Sequence, residues 1–231
     1  MAKKTDPLGS AKKETPVKGK AVYQFKITLM DISPAIWRRI LVPAEYSFWD
    51  LHVAITDCMP WMDHHQHVFR IKDPKTGKRM ALGVPDEEGE LTFETGWEHK
   101  LSDYFTAQNN KAMYEYDFGD SWLHEILFEG EQVPEPAVKY PRCVEGKRAC
   151  PPEDVGGVPG YEEFLKVISD RKHPEYESMW EWTEAQTGKP NFKPDEFNPS
   201  EVKFDNPEKR WRVVFKDEKM TPDMRVFKFC E

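Results

Sequence analysis

The sequence predicts an α+β fold: a mostly antiparallel sheet packed against several helices, with a strand-rich N-terminal half and a helix-rich C-terminal half. Three observations predict it. Apolar residues recur with period two at 22–30, 65–71 and 114–129, as in half-buried strands. After residue 160 they recur with helical spacing, between capping and terminating residues. The two kinds of segment fall largely in different halves, which gives segregated layers. Residues 21–231 are expected to form one α+β domain, preceded by a disordered basic tail over 1–20.

The elements follow in order. From Val22 to Met30, Tyr23, Phe25, Ile27 and Leu29 face one way and Gln24, Lys26 and Thr28 the other. Ser33-Pro34 turns the chain into a second strand, Ile36 to Val42, ended by Pro43. Ser47 is an N-cap for a helix to about Met59, with Phe48, Leu51, Ile55 and Met59 on one face. Pro60-Trp61 stops it. His65 to Ile71 alternates again, with His65, His67, Phe69 and Ile71 on one side, and Asp73 to Gly77 is a turn. Met80 to Phe93, punctuated by Gly83, Pro85 and Gly89, reads as loop with short strand pieces. Leu101 to Phe105 reads as one helical turn capped by Ser102.

Tyr114 to Glu129 (YEYDFGDSWLHEILFE) reads as a hairpin around a Gly119-Asp120 loop. That loop pairs Phe118 with Ser121, Asp117 with Trp122 and Glu115 with His124. Glu115, Asp117 and His124 then share a face with Trp122, Ile126 and Phe128. A one-residue shift would part Asp117 from His124. Pro134 to Gly160 is rich in Pro and Gly and reads as loop. Helices follow at Gly160 to Ser169, at Pro174 to Gln186 before Gly188, and at Pro207 to Phe215 with Asn206 as cap. Trp37, Trp61 and Trp122 each sit in an apolar pattern and are expected as core anchors.

The net charge is −8 and the sequence pI about 5.5. Residues 1–20 hold six Lys against Asp6 and Glu14, or +4, so the rest carries −12. An acidic body disfavours nucleic-acid or membrane-surface binding by the fold itself. No apolar run approaches the ~18 residues of a membrane span. The N-terminus lacks a signal-peptide apolar region, and four Cys in 231 residues make no disulfide scaffold. A reduced, cytoplasmic protein is expected.

Several strings together carry a resemblance. They are YQFKITLMDISPAIWRRILVP from Tyr23, Leu51-His52, Trp61 with His65-Gln66-His67-Val68-Phe69, YDFGDSWLH from Tyr116, and YPRCVEGKRACPPEDVGGVPGY from Tyr140, followed by HPEY and PDEF. In this order over roughly 21 to 200 they resemble the family named for an open reading frame of a root-inducing plasmid. Its members are also catalogued as insertion-element passenger proteins. The resemblance implies an α+β fold and no settled activity; the resolvase-like label reflects genomic neighbourhood. The family usually carries Cys where this chain has Val155, so a thiolate cluster built on that Cys in relatives would be incomplete here.

His65 and His67 lie two apart on an expected strand and so share a face. With Asp117 and His124, and more remotely Cys143 and Cys150, they supply enough ligands for zinc or another divalent ion. The Cys spacing matches no standard zinc module. The alternative is that His65, His67 and His124 are hydrogen-bonded, partly buried supports of the hairpin. One of Arg38 and Arg39 must face the covered side and needs a carboxylate or an anion. Asp117, Asp120, Glu153 and Asp154 are its candidate partners, a structural ion pair being the favoured form. CPPEDVGGVPG ends at a helix start but lacks a Walker ending, and its acidic pair would repel phosphate. The chain has no nucleophile elbow and no Rossmann fingerprint, and Asp117-Phe118-Gly119 stands without the rest of a kinase.

Two functional readings result. One is a non-catalytic binding or accessory module that takes a ligand or protein partner in a polar His/Asp cleft between hairpin and CPPED loop. Its candidate binding residues are Arg38, Arg39, Asp117, Asp120 and Trp122. The other is a metal-dependent hydrolase, with phosphodiesters as the candidate substrate, His65, His67, Asp117 and His124 as ligands and Glu153 or Asp154 as general base. The tail enters neither. It has no periodic apolar face, and ordering it costs about 1 kcal/mol or more per residue with nothing buried in return. Deleting residues 1–20 is expected to leave the melting temperature within error; a drop of several degrees would show that the tail packs on the body.

Overall fold

A computed structural model describes residues 21–85, 92–188 and 190–216. The basic tail lies outside the described residues. Eight strands form one sheet: β1 (Val22–Leu29), β2 (Trp37–Pro43), β3 (His67–Lys72), β4 (Arg79–Gly83), β5 (Glu94–Thr95), β6 (Lys111–Tyr116), β7 (Trp122–Gln132) and β8 (Arg142–Lys147). Their order is β5-β4-β3-β6-β7-β1-β2-β8, antiparallel throughout except for the β4–β5 pair. The helices are α1 (Phe48–Cys58), α2 (Leu101–Tyr104), α3 (Gly157–Ser169), α4 (Tyr176–Thr187) and α5 (Pro207–Lys216). The α+β class and its division between the halves are thus present. Among the described residues, no helix is long and apolar enough to cross a membrane.

One face of the sheet is the core. Phe25, Ile27 and Leu29 of β1, Ile40 and Val42 of β2, Phe69 of β3, Tyr114 of β6 and Ile126 of β7 are buried on it, packed against Phe48, Leu51 and Ile55 of α1. Ser47 opens α1 with a capping box: its hydroxyl accepts from Asp50 N, and Asp50 accepts from Ser47 N. α1 is buried on its outer side too, because α5 covers it; Trp49 Nε1 donates to Pro207 O at 3.0 Å, and Phe215 packs on the Trp49 ring. Asn206 caps α5 by accepting from Lys209 N. Gly188 ends α4 at φ 65, as its place after Thr187 predicts.

The opposite face is wet. Arg39 pairs with Glu129 and Glu145, Arg70 with Glu115, and Lys111 with Glu125. Trp37 lies on this face under Lys26 and Arg39, half-buried, and is no core anchor. Alternation along β2 explains why: Arg38, opposite Ile27, takes the core side.

Three further expectations change. Residues 142–147 form a strand rather than loop, because β2 offers an edge; Cys143 alone of the six is buried, so no alternation announces it. α2 starts after Lys100 with no side-chain cap, and Ser102 lies inside it. The hairpin pairs Tyr116 with Trp122, Glu115 with Leu123 and Tyr114 with His124. The Gly119-Asp120 two-residue loop is therefore replaced by a five-residue loop, Asp117 to Ser121. Asp117 turns left-handed at φ 59 as it leaves β6, and its Oδ1 accepts from Gly119 N at 2.9 Å and Asp120 N at 3.3 Å. That local bonding outweighs the tighter turn, and the odd shift puts Glu115 and His124 on opposite faces.

Trp122 is fully buried beside Trp61, with ring centroids 6.0 Å apart. Trp122→Ala is expected to lower stability by about 3–5 kcal/mol, as for a large aromatic lost from a core. Equal urea midpoints for variant and wild type would contradict its place there.

Candidate functional site

Three segments meet at one end of the β3–β6–β7 region. The first is Trp61 to His65, between α1 and β3. The second is the Asp117–Ser121 loop. The third is the PPEDVGG run ahead of α3. Trp61 Nε1 donates to Pro151 O at 3.1 Å. Glu153 is nearly fully buried; one oxygen accepts from Met62 N at 2.6 Å and the other from the Tyr116 hydroxyl. Asp120 Oδ2 accepts from Gly156 N at 3.0 Å. Gly157 has φ 67, and a Cβ there would come within 2.6 Å of Asp120 O, so glycine lets the two loops touch.

These contacts set His65 among carboxylates. Its Nε2 is 2.9 Å from Asp154 Oδ1 and 3.9 Å from Glu153 Oε1, and its Nδ1 is 3.7 Å from Asp117 Oδ1. Donor atoms of His65, Asp117 and Asp154 all lie within 4.8 Å of one another. Asp117 and Glu153 are buried, whereas His65 and Asp154 reach solvent. His65 lies at ion-pair distance from all three carboxylates, and His64 also acts electrostatically on Glu153. Burial pushes the Glu153 carboxyl above its ordinary range, against the pull of the Tyr116 and Met62 hydrogen bonds. Burial likewise raises the Tyr116 phenol, with Glu153 beside it adding to the rise. One imidazole nitrogen and two carboxylates open to solvent on one side suit a divalent cation that accepts mixed N and O ligands.

The site thus holds His65, Asp117, Asp120, Glu153 and Asp154, all expected near the cleft, but in a different grouping. His67 and His124 are not with them. His67 points into the core and stacks on His52 at 3.5 Å and 8°, and burial pushes it well below its ordinary pKa. His124, fully buried beside Trp61, bonds Trp122 O through Nδ1 at 2.9 Å. His65 precedes β3 instead of lying on it, so the shared-face argument linking it to His67 fails. Trp122 is too deep to meet a ligand.

The two arginines are also elsewhere. Arg38 is fully buried, yet its partners are carbonyls: Cys58 O at 2.9 Å, Trp37 O at 2.9 Å and Lys147 O at 3.0 Å. Its guanidinium lies 3.6 Å from the centre of the Phe197 ring. None of the four expected carboxylates reaches Arg38, because three backbone dipoles and an aromatic face take that place; burial lowers its pKa. Arg39 faces outward to Glu129 and Glu145. Cys143 and Cys150 are free, buried thiols; burial pushes Cys143 up to about 11 and Cys150 higher still. Both are poor thiolate ligands as they stand. Val155, where a further thiol was at issue, packs against the apolar core.

Sequence reasoning missed Asp63 and Tyr116. Tyr116 reads as an ordinary alternating strand residue, and Asp63 carries only the polar density of MDHH as a signal. Asp63 has φ 63, and its Oδ1 lies 2.8 Å from His52 Nε2.

His124 makes a pH test. Burial holds it down to about 3, although its bonds to backbone carbonyls oppose that shift. The unfolded imidazole titrates near 6.5, as an ordinary His does. Below that pH the unfolded chain binds a proton that the folded one refuses. Stability therefore falls as pH drops from about 6.5 towards the folded value, by about 1.4 kcal/mol per unit for one such His. Between pH 6 and 4, His124→Gln is expected to lose stability less steeply than wild type by about that slope. Parallel curves would show that the ring takes up a proton in the folded state.

Comparison with other proteins gives consistent findings. Residues 21–201 match the family described as plasmid pRiA4b ORF-3-like protein. The uncharacterized protein y4hQ of Sinorhizobium fredii (strain NBRC 101917 / NGR234) is 33% identical over 163 residues, which span 70% of this chain and 80% of that protein. A crystal structure of a protein of unknown function, MM3350 from Methanosarcina mazei Go1, is similar at a TM-score of 0.72 and 43% identity, covering 80% of this chain and 99% of that one. The strings YDFGDSWLH and CPPEDVGG, which build the cleft, lie inside the matched region. The chain belongs to the plasmid pRiA4b ORF-3-like protein family.

Proposed function

We propose that this chain is a non-catalytic binding module that holds a divalent cation, zinc-like in its ligand preference, in the His65–Asp117–Asp154 cleft. The cation would present an open coordination position to a ligand or protein partner. One observation carries the reading: the His65 imidazole stands among three carboxylates, two of them buried, and no lysine or arginine among the described residues pairs with them. Hydrogen bonds offset part of the cost of burying Glu153 and Asp117, and a divalent ion would neutralise negative charge that remains.

The hydrolase reading has weaker support. Both oxygens of Glu153 are engaged by Met62 N and the Tyr116 hydroxyl, so its lone pairs are directed into the scaffold. Asp154 would have to act as both ligand and base. The −12 charge carried beyond the basic tail argues against a nucleic-acid partner, and the free thiols of Cys58, Cys143 and Cys150 suit a reducing, cytoplasmic setting.

Protein purified without a His tag or added metal is expected to carry, or to take up in a zinc titration, about one equivalent per chain. His65→Ala and Asp117→Asn should each weaken zinc binding at least about tenfold, roughly 1.4 kcal/mol. His67→Ala should leave it unchanged. Uptake that survives both cleft substitutions would contradict the reading.

A further inference from the structure

The segment that delivers His65 is tethered at each residue ahead of it. Met62 N donates to Glu153, and His64 N donates to the Tyr116 hydroxyl at 3.0 Å. Between them Asp63 turns its side chain the other way, into a buried polar chain. Its Oδ1 meets His52 Nε2 at 2.8 Å, and His52 Nδ1 meets the Tyr114 hydroxyl at 2.9 Å. Its Oδ2 accepts from Arg210 Nη1 at 3.3 Å. Arg210 also holds Asp57 at 2.6 Å, Asp205 at 2.7 Å and the Thr56 hydroxyl at 3.0 Å. Burial opposes a charge on Arg210, yet Asp57 and Asp63 hold its proton more firmly than usual. Arg210 belongs to α5, which lies beyond the family-matched residues 21–201. A helix outside that region thus neutralises two buried aspartates, Asp57 and Asp63, inside it.

We infer that Arg210 is a positioning residue for His65: by gripping Asp63 it holds the left-handed turn of the Met62–His65 segment and thereby sets where the imidazole stands in the cleft. Asp63 has φ 63, a left-handed conformation that Asp tolerates better than most residues and that its bonds to Arg210 and His52 fix here. Without Arg210, Asp63 is a buried carboxylate facing only His52. Such a group turns towards water, and the turn is released with it. His65 is two residues further on, so the displacement reaches it directly. The effect on cation binding rests on the reading of the cleft given above; the positioning of His65 does not.

The experiment observes the His65 ring by NMR in metal-free, full-length protein labelled at histidine, and then titrates zinc. Arg210→Ala and Asp63→Asn are both expected to move or double the His65 ring signals. Asp57→Asn, which loosens the same arginine cluster without touching the Met62–His65 segment, should lower the melting temperature and leave those signals in place. In Arg210→Ala the zinc dissociation constant should rise about tenfold, the usual scale for losing support behind a metal ligand. His65 signals unmoved in a folded Asp63→Asn or Arg210→Ala protein would overturn the inference. Equal displacement in Asp57→Asn would also overturn it, by marking general loosening. A wild-type chain that takes up no zinc would count against the cleft reading alone, since the ring is observed without metal.

Discussion

The buried carboxylate of Glu153 is the contact on which the site depends. It binds Met62 N and the Tyr116 hydroxyl at once, and so ties the loop after Cys150 both to the segment leaving α1 and to the last residue of β6. The Trp61–Pro151 and Asp120–Gly156 hydrogen bonds close the same junction from either side. Only with these segments locked together do His65, Asp117 and Asp154 converge. Removing one partner of such a buried group leaves the other unsatisfied, at a cost of about 1–3 kcal/mol. Buried hydrogen bonds thus hold the three segments together at the cleft.

The two faces of the sheet make the cleft stand out. On the outer face acids and bases pair with each other, Arg39 with Glu129 and Glu145, and Arg70 with Glu115. Such exposed pairs contribute at most about 1 kcal/mol each and leave little net charge to attract a partner. In the core, Arg38 is balanced by carbonyls and an aromatic ring, and Arg210 by aspartates. At the cleft three carboxylates stand around the His65 imidazole with no lysine or arginine paired to them among the described residues.

Much of this was legible in the residues. Alternation in β1, β2 and β3, the Ser47 cap of α1, the Asn206 cap of α5 and the glycine stop of α4 are local signals that tertiary structure left intact. The meeting of hairpin and CPPED loop was legible as well, and so were His65, Asp117, Glu153 and Asp154 as its polar members. Their grouping was not. It turned in part on the hairpin loop having five residues rather than two, which shifts the pairing by one and follows from the Asp117 side chain bonding its own loop in a left-handed turn. Residue type leaves that choice open, and strand parity converts one residue into a change of face. Arg38 shows a second limit. Its partners are backbone carbonyls of Cys58 and Lys147, whose positions depend on where α1 ends and on β8, a strand with no alternation to reveal it.

The most direct test of this account is anomalous diffraction from crystals of the full chain grown with zinc. The account predicts one peak, about 2.0–2.2 Å from a ring nitrogen of His65 and from carboxylate oxygens of Asp117 and Asp154, with the remaining position open to solvent. A zinc peak on His67, His124, Cys143 or Cys150, or a cleft free of zinc at saturating concentration, would contradict it.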